Sequence, residues 1–324
     1  MRISEKSWDN YIKRLAAINS TAAKKMQAWM NLNPNADKLE IISRAYALTT
    51  SYGEAAGALA CELYDEIATI EKAGVKPAVP ADPPSYKYIE KAVGGTIAES
   101  PARIPELVGR MVKQTGADTT LQNAKRDGAY FAWVPHGDTC AFCLTLASNG
   151  WQKASDDTVK GKHADHIHNN CNCEFAISFN GQGEVEGYDW EKYRRIYDGL
   201  SGDSSDNKIN NLRKLINGNP PLTIDQVDFI IQLENDTSIL ATKSPKEWKS
   251  FLDDLGFNVL PLGQGSLKGI LFEDGGGFRI FYRGDGYFQY HSGGGHHGKD
   301  PYYKVSSAKR GILRLNLDGS VRNE

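Results

Sequence analysis

The 324-residue chain is short of cysteine, of net charge and of long apolar runs. Its five cysteines, four of them between positions 140 and 173, are too few and too clustered for a disulfide-dense secreted domain. The 38 basic and 40 acidic residues leave a formal net charge of −2, which excludes a chain that coats nucleic acid over its whole surface. No apolar run approaches the roughly 20 residues of a membrane span, so no membrane partner is expected. The opening MRISEKSWDNYIKRL has no apolar secretory core. Internal repeats are absent, and with 40 % hydrophobic and 24 % charged residues the composition is that of folded domains rather than of disorder.

What is present is uneven. Trp8, Tyr11, Ile12, Leu15, Ala22, Met26 and Trp29 recur at three- and four-residue steps, which predicts an amphipathic helix. A second helical pattern carries Leu39, Ile42, Tyr46, Leu59, Leu63 and Ile67. Its small residues Gly53, Ala56, Gly57 and Ala60 would let another helix approach closely, and the lone Cys61 reads as a small core residue. Pro77, Pro80, Pro83 and Pro84 then forbid a regular helix and predict a stiff extended connector. Further helical pieces are expected over 105–116 and from Thr119.

The polar SGDSSDNKINN reads as a linker. In SPKEWKSFLDDLGF, Ser244 and Glu247 have the spacing of a capping box. Beyond Gly256 six short alternating runs (FNVLPL, GILFED, FRIFYR, GYFQYH, YYKVSS, GILRLNL) are separated by glycine turns, twelve of the 32 glycines falling within 261–300. The expected fold class is therefore multidomain. A mostly α N-terminal region with a zinc-binding Cys/His core precedes a small α+β C-terminal domain with an antiparallel sheet. The expected boundaries are a helical region 1–73, connector 74–85, helical and Cys/His region 86–200, linker 201–220 and C-terminal domain 221–324.

Chemistry concentrates in two places. Cys140 and Cys143 form C-x-x-C, and His168, Cys171 and Cys173 form H-x-x-C-x-C after a 24-residue loop. Two close thiolate pairs suit a tetrahedral zinc, here with five candidate ligands for four positions. Two disulfides, or reduced cysteines without metal, explain the same residues. Thiolate-rich ligation favours a closed structural site over a catalytic one that would use Asp165 or His166 as base.

The second place is QYHSGGGHHGKDPYYKVSSAKRG. Between 299 and 322 the six basic residues Lys299, Lys304, Lys309, Arg310, Arg314 and Arg322 face only Asp300 and Asp318. Tyr287, Phe288, Tyr290, Tyr302 and Tyr303 are available to stack on bases. Metal-free RNA cleavage needs a base for the 2′-hydroxyl proton, an acid for the leaving oxygen and a cation on the phosphate. His291, His296 and His297 suit the first two roles, Lys304 the third, with Ser306 or Tyr303 a phosphate ligand. A flexible glycine–histidine hairpin tip is the plainer alternative. The glycine runs lack the Gly-Lys-Ser/Thr ending of a phosphate-cradling loop.

Cys140-Ala141-Phe142-Cys143, Leu146-Ala147-Ser148-Asn149-Gly150 and the His168–Cys173 block resemble the signature of phage minor head proteins, the Mu F-like head morphogenesis group and its minor capsid relatives. Trp133 and Asn149 stand where those relatives carry arginine, which puts any basic contact there in doubt. The tail is similar, in residue types and order, to the barnase/EndoU/colicin/RelE group of ribonucleases. The resemblances imply a virion protein assembled in the host cytoplasm and placed in the capsid interior or near the portal. Its implied partners are the portal or major capsid protein and phage DNA, with an RNA substrate and an immunity protein for the tail. The alternative is a purely structural virion protein whose C-terminal domain binds nucleic acid or capsid without catalysis.

Overall fold

The computed structural model describes residues 2–3, 5–137, 139–159, 173–283, 286–294, 298–307 and 311–322. It divides into two compact units, Met1–Trp190 and Glu191–Glu324.

The N-terminal unit begins with a two-residue strand β1 (Arg2–Ile3) and continues with α1 (Glu5–Leu32), α2 (Lys38–Ile70), α3 (Tyr86–Glu99) and α4 (Ile104–Asp127). It closes with β2 (Tyr130–Val134), α5 (Ala141–Ala147), β3 (Gln152–Lys153), the single turn α6 (Asp156–Val159), β4 (Glu174–Ser178) and β5 (Glu184–Val185). The predicted stripe of α1 is buried from Trp8 to Met26. The start of α2 is set by Asp37, whose carboxylate accepts from the Glu40 N–H at 2.9 Å while Glu40 accepts from the Asp37 N–H at 2.8 Å. The helical pieces expected over 105–116 and from Thr119 are one continuous helix. Gly116 does not break it and is buried against α1 and α2, where a Cβ would stand in ordinary contact, 3.5 Å from the Ala56 carbonyl and from Leu15. Cys61 is only half-buried rather than core. Burial, and then Asp65 beside it, raise its thiol pKa above the ordinary value.

The proline-rich stretch is extended, and side chains of α2 and α4 strap it down. Asp65 accepts from the Ala78 N–H, Thr119 from Ala81 and Asn123 from Val79. Asn123 also donates to the Val79 and Thr119 carbonyls at 2.8 and 2.7 Å, and Arg126 donates to the carbonyls of Lys76 and Pro77. A segment that cannot use helix or sheet partners is thus satisfied by side chains. Gly53 and Gly57 make room for it. A Cβ at either would press within 3.3 Å of Pro83 or Pro80 and on Thr115 or Thr119. Asn123→Ala is expected to lower stability by about 1–2 kcal/mol, since it removes a side chain 2 % exposed and takes the acceptor from the Val79 amide, while Gln122 still donates to the Val79 carbonyl. Urea unfolding measures it, and a loss below about 0.5 kcal/mol would show that the strap is not held this way.

At the C-terminal end of α4, Arg126 pairs with Asp127 through Nε and Nη2, and Tyr64 donates its hydroxyl to the same carboxylate at 2.8 Å. The Arg126 hydrogen bonds hold the Asp127 carboxyl below its ordinary pKa. β2 pairs antiparallel with β3 and β4 to give the order β3-β2-β4, and Phe131, Trp133 and Phe175 pack across it.

The second unit contains α7 (Trp190–Gly199, starting at the boundary), α8 (Ser205–Ile216), α9 (Ile224–Asn235) and α10 (Pro245–Asp254). Five strands follow: β6 (Leu260–Pro261), β7 (Phe278–Arg283), β8 (Gly286–His291), β9 (Tyr302–Ser307) and β10 (Gly311–Leu315). The expected linker contains α8, whose Ile209, Leu212 and Leu215 are buried. The Ser244–Glu247 capping box is formed. Of the six alternating runs, GILFED is not a strand but a turn and a 3-10 segment, Phe272–Asp274, ended by Gly275 at φ +84°. The strands form an antiparallel meander in the order β6 to β10.

Candidate functional site

In the N-terminal unit, Val134 at the end of β2 lies in register with Glu174 at the start of β4. Cys140 and Cys143, which follow β2, and Cys173, which precedes β4, are therefore brought to the same end of the strand pair. Cys140 is exposed at the N-cap of α5, whereas Cys143 and Cys173 are each 1 % exposed. His168 and Cys171 lie outside the described residues, as do Asp165 and His166. Among the described residues no three His, Cys, Asp or Glu side chains are grouped to hold a metal. Next to Cys173, Glu174 forms a buried ion pair with Lys113 of α4 at 2.6 Å.

In the second unit the meander has two faces. Phe278, Ile280, Tyr282, Phe288, Tyr290, Tyr303, Val305 and Leu315 point to the core, where Phe288 meets Phe229 of α9 and Trp248 of α10. Phe288, Tyr290 and Tyr303 are at most 8 % exposed, so they pack the sheet and cannot stack on bases. The opposite face carries Arg279, Phe281, Tyr287, Gln289, His291, Tyr302, Lys304, Ser306, Ile312 and Arg314, by alternation and register. It brings together three of the five predicted catalytic residues, His291, Lys304 and Ser306. His296 and His297 lie outside the described residues.

His291 is 7 % exposed and stacks on Tyr302 with ring centres 4.9 Å apart and planes 13° apart. The Gly293 N–H donates to His291 Nδ1 at 3.0 Å. A backbone N–H can only donate, so Nδ1 carries the lone pair and Nε2 the proton. In this geometry His291 offers a hydrogen-bond donor and does not accept a proton at Nε2. Gly293 has φ +99°, and a Cβ there would collide with the Lys299 carbonyl oxygen, so the turn that sets this tautomer requires glycine. Arg322 covers Tyr302 with its guanidinium 5.4 Å from the ring centre.

Arg279 lies on the same face and belongs to none of the sequence-derived site sets. Its Nε and Nη2 donate to Gln289 Oε1 at 3.1 and 2.7 Å. Its guanidinium lies 5.0 Å from the Tyr287 ring centre, and Lys304 Nζ lies 5.4 Å from the same ring. The alternation of FRIFYR gives Arg279 an outward position. Only the cross-strand register places it beside Lys304.

The sequence profile described as VG15 protein matches residues 2–200. The chain belongs to the VG15 protein family. It is a family of viral, phage-associated proteins. The VG15 match takes in the helices, the connector strap and the cysteine end of the N-terminal unit, and it stops just after α7. The sheet bearing His291, Lys304 and Arg279 lies beyond it. No curated protein and no solved structure matches the chain.

Proposed function

We propose that this VG15 protein is a phage minor head protein that takes part in head assembly and is packaged in the virion, within the capsid or near the portal. Its second unit is carried as a metal-independent ribonuclease effector. Membership in a viral family supports the first part, together with the C-A-F-C and H-x-x-C-x-C blocks that resemble minor head proteins. The observation that carries the second part is the outer sheet face, where His291, Lys304 and Ser306 lie on one side of paired strands free of carboxylates.

In the proposed cleavage the 2′-oxygen bonds to phosphorus as the bond to the 5′-oxygen breaks. His291 donates from Nε2 to the oxygens on phosphorus, Lys304 offsets their charge and Ser306 adds a hydroxyl contact. Proton transfer from the 2′-hydroxyl and to the 5′-oxygen falls to His296 and His297. In the N-terminal unit the proposed structural zinc is held by four of Cys140, Cys143, His168, Cys171 and Cys173. The donor set, mostly thiolate with one imidazole, is of the kind zinc takes, and the strand register gathers three of its members at one end of the sheet.

Full-length protein incubated with single-stranded RNA is expected to cut it equally with and without EDTA. His291→Ala is expected to slow cutting about 100-fold. Cutting that EDTA stops, or that His291→Ala leaves unchanged, overturns the catalytic assignment. Protein identification in purified particles tests the virion role.

The burial of His291, whose Nδ1 accepts from the Gly293 N–H, favours a second reading, in which the face binds nucleic acid or capsid without cutting. RNA left intact by the wild-type protein decides for that reading.

A further inference from the structure

We propose that Arg279 and Lys304 form a clamp for one phosphodiester of single-stranded RNA on the outer sheet face, and that Gln289 and Tyr287 position Arg279 in it. The inference rests on the RNA reading above and deepens it, adding Arg279, Gln289 and Tyr287 to the phosphate contact of Lys304. The register lines up Arg279, Gln289, Lys304 and Arg314 as one row across β7, β8, β9 and β10. Two strand spacings, about 10 Å, separate the Arg279 and Lys304 positions, with Gln289 and the neighbouring Tyr287 between them.

Each intermediate group has a visible task. Gln289 accepts from two guanidinium nitrogens, which fixes the plane of Arg279 and leaves its Nη1 edge for a ligand. Tyr287 receives both cations on its ring. It is thus a pillar for the two charges rather than a platform for a base. Gln289 is 5 % exposed, so the arrangement is built into the sheet and does not depend on a loose surface side chain.

The charge on this face is one-sided. The five strands hold no Asp or Glu, so Arg279 and Lys304 share their strands with no carboxylate. Bringing like charges together costs free energy that an anion spanning them returns. A phosphodiester fits the fork of Arg279 on one side and the point charge of Lys304 on the other. Phe281, 48 % exposed and flanking Arg279 with its ring centre 5.4 Å from the guanidinium, offers an adjoining aromatic surface for an unpaired base. A sheet face with such a flank suits a single strand.

The test uses full-length protein carrying His291→Ala, so that binding is read without cleavage, and a labelled single-stranded oligoribonucleotide followed by fluorescence anisotropy over a range of NaCl. Adding Arg279→Ala is expected to weaken binding at least tenfold and to lower the salt slope by about one. Arg279→Lys is expected to keep the slope while losing part of the affinity, because the charge remains without the fork. Gln289→Ala is expected to weaken binding less, and to add nothing further in the Arg279→Ala protein, as a positioning role requires.

If wild-type protein cuts RNA while Arg279→Ala changes neither affinity nor slope, the clamp is wrong and the ribonuclease reading stands. If wild-type protein neither binds nor cuts RNA, both fall together. Equal affinity for the matching single-stranded DNA overturns the assignment to RNA. Circular dichroism of each variant confirms the fold. Arg279→Lys, which keeps the ring contacts, tests the clamp even if Arg279→Ala does not fold.

Discussion

Replacing Lys113 by methionine is expected to lower the stability of the N-terminal unit by about 3–5 kcal/mol, because Glu174 is left as a buried charge with its cation removed. The pair joins α4 to the first residue of β4 at 2.6 Å, with the two side chains only 10 % and 6 % exposed. Tyr11 of α1 lies close by. Burial, and then the Glu174 charge, push its phenol pKa far up, so the surroundings resist further negative charge. Glu174→Gln removes the opposite charge and is expected to cost a similar amount. The double replacement Lys113→Met with Glu174→Leu is expected to return to within about 1–2 kcal/mol of wild type, since packed apolar groups substitute well for a buried ion pair. Urea unfolding, with hydrogen exchange of the α4 and β4 amides to place the loss, measures all three. Additive losses in the double variant would show that the two charges do not depend on each other.

How far the sequence foretold this structure differs from element to element, for physical reasons. The α1 stripe and the alternation of FRIFYR, GYFQYH and YYKVSS were legible because each contains a complete period of its own element, and Ser244–Glu247 because a capping box is local. Helix α8 was not, because Ile209, Leu212 and Leu215 are spaced among Ser, Asp, Asn and Lys and carry too few apolar atoms to outweigh a polar composition. The unbroken run of α4 through Gly116 was hidden because a glycine lowers helix propensity locally, while the burial of Met111, Val112, Ala117 and Leu121 on either side carries the helix across it. GILFED has strand-like composition, yet Gly275 turns the chain where a strand would have to continue. The candidate site divides along the same line. His291 and Lys304 stood out by residue type, and so did the cysteines. Arg279 did not, because its relation to Lys304 exists only across two strand pairings, and the tautomer of His291 exists only through the Gly293 turn.

Chelation of the proposed zinc is expected to open one end of the N-terminal unit while leaving its helices in place. Cys143 and Cys173 join the same buried cluster as the helices, but most of that cluster comes from α1, α2, α3 and α4. Met26, Ile42, Ile89, Ile104 and Met111 are all at most 1 % exposed among one another's helices, and burial of that kind persists without a metal. The strand pair is different. Among the described residues its pairing ends at Val134 and Glu174, and Cys140, Cys143 and Cys173 lie at that end. A structural zinc contributes an apparent binding free energy on the order of 10 kcal/mol at neutral pH, enough to order that end. Purified protein is therefore expected to contain one equivalent of zinc by elemental analysis. Cys143→Ser and Cys173→Ser should each lose it, whereas Cys61→Ser, on α2, should keep it. Hydrogen exchange after chelation is expected to accelerate at least tenfold at the β2–β4 end and in α5, with the amides of α1, α2 and α4 unchanged. Because thiolates must lose protons to bind, zinc release should also occur on acidification. Zinc retained in both serine variants, or exchange unchanged by chelation, would falsify the metal and leave Cys143 and Cys173 as buried thiols packed beside Glu174.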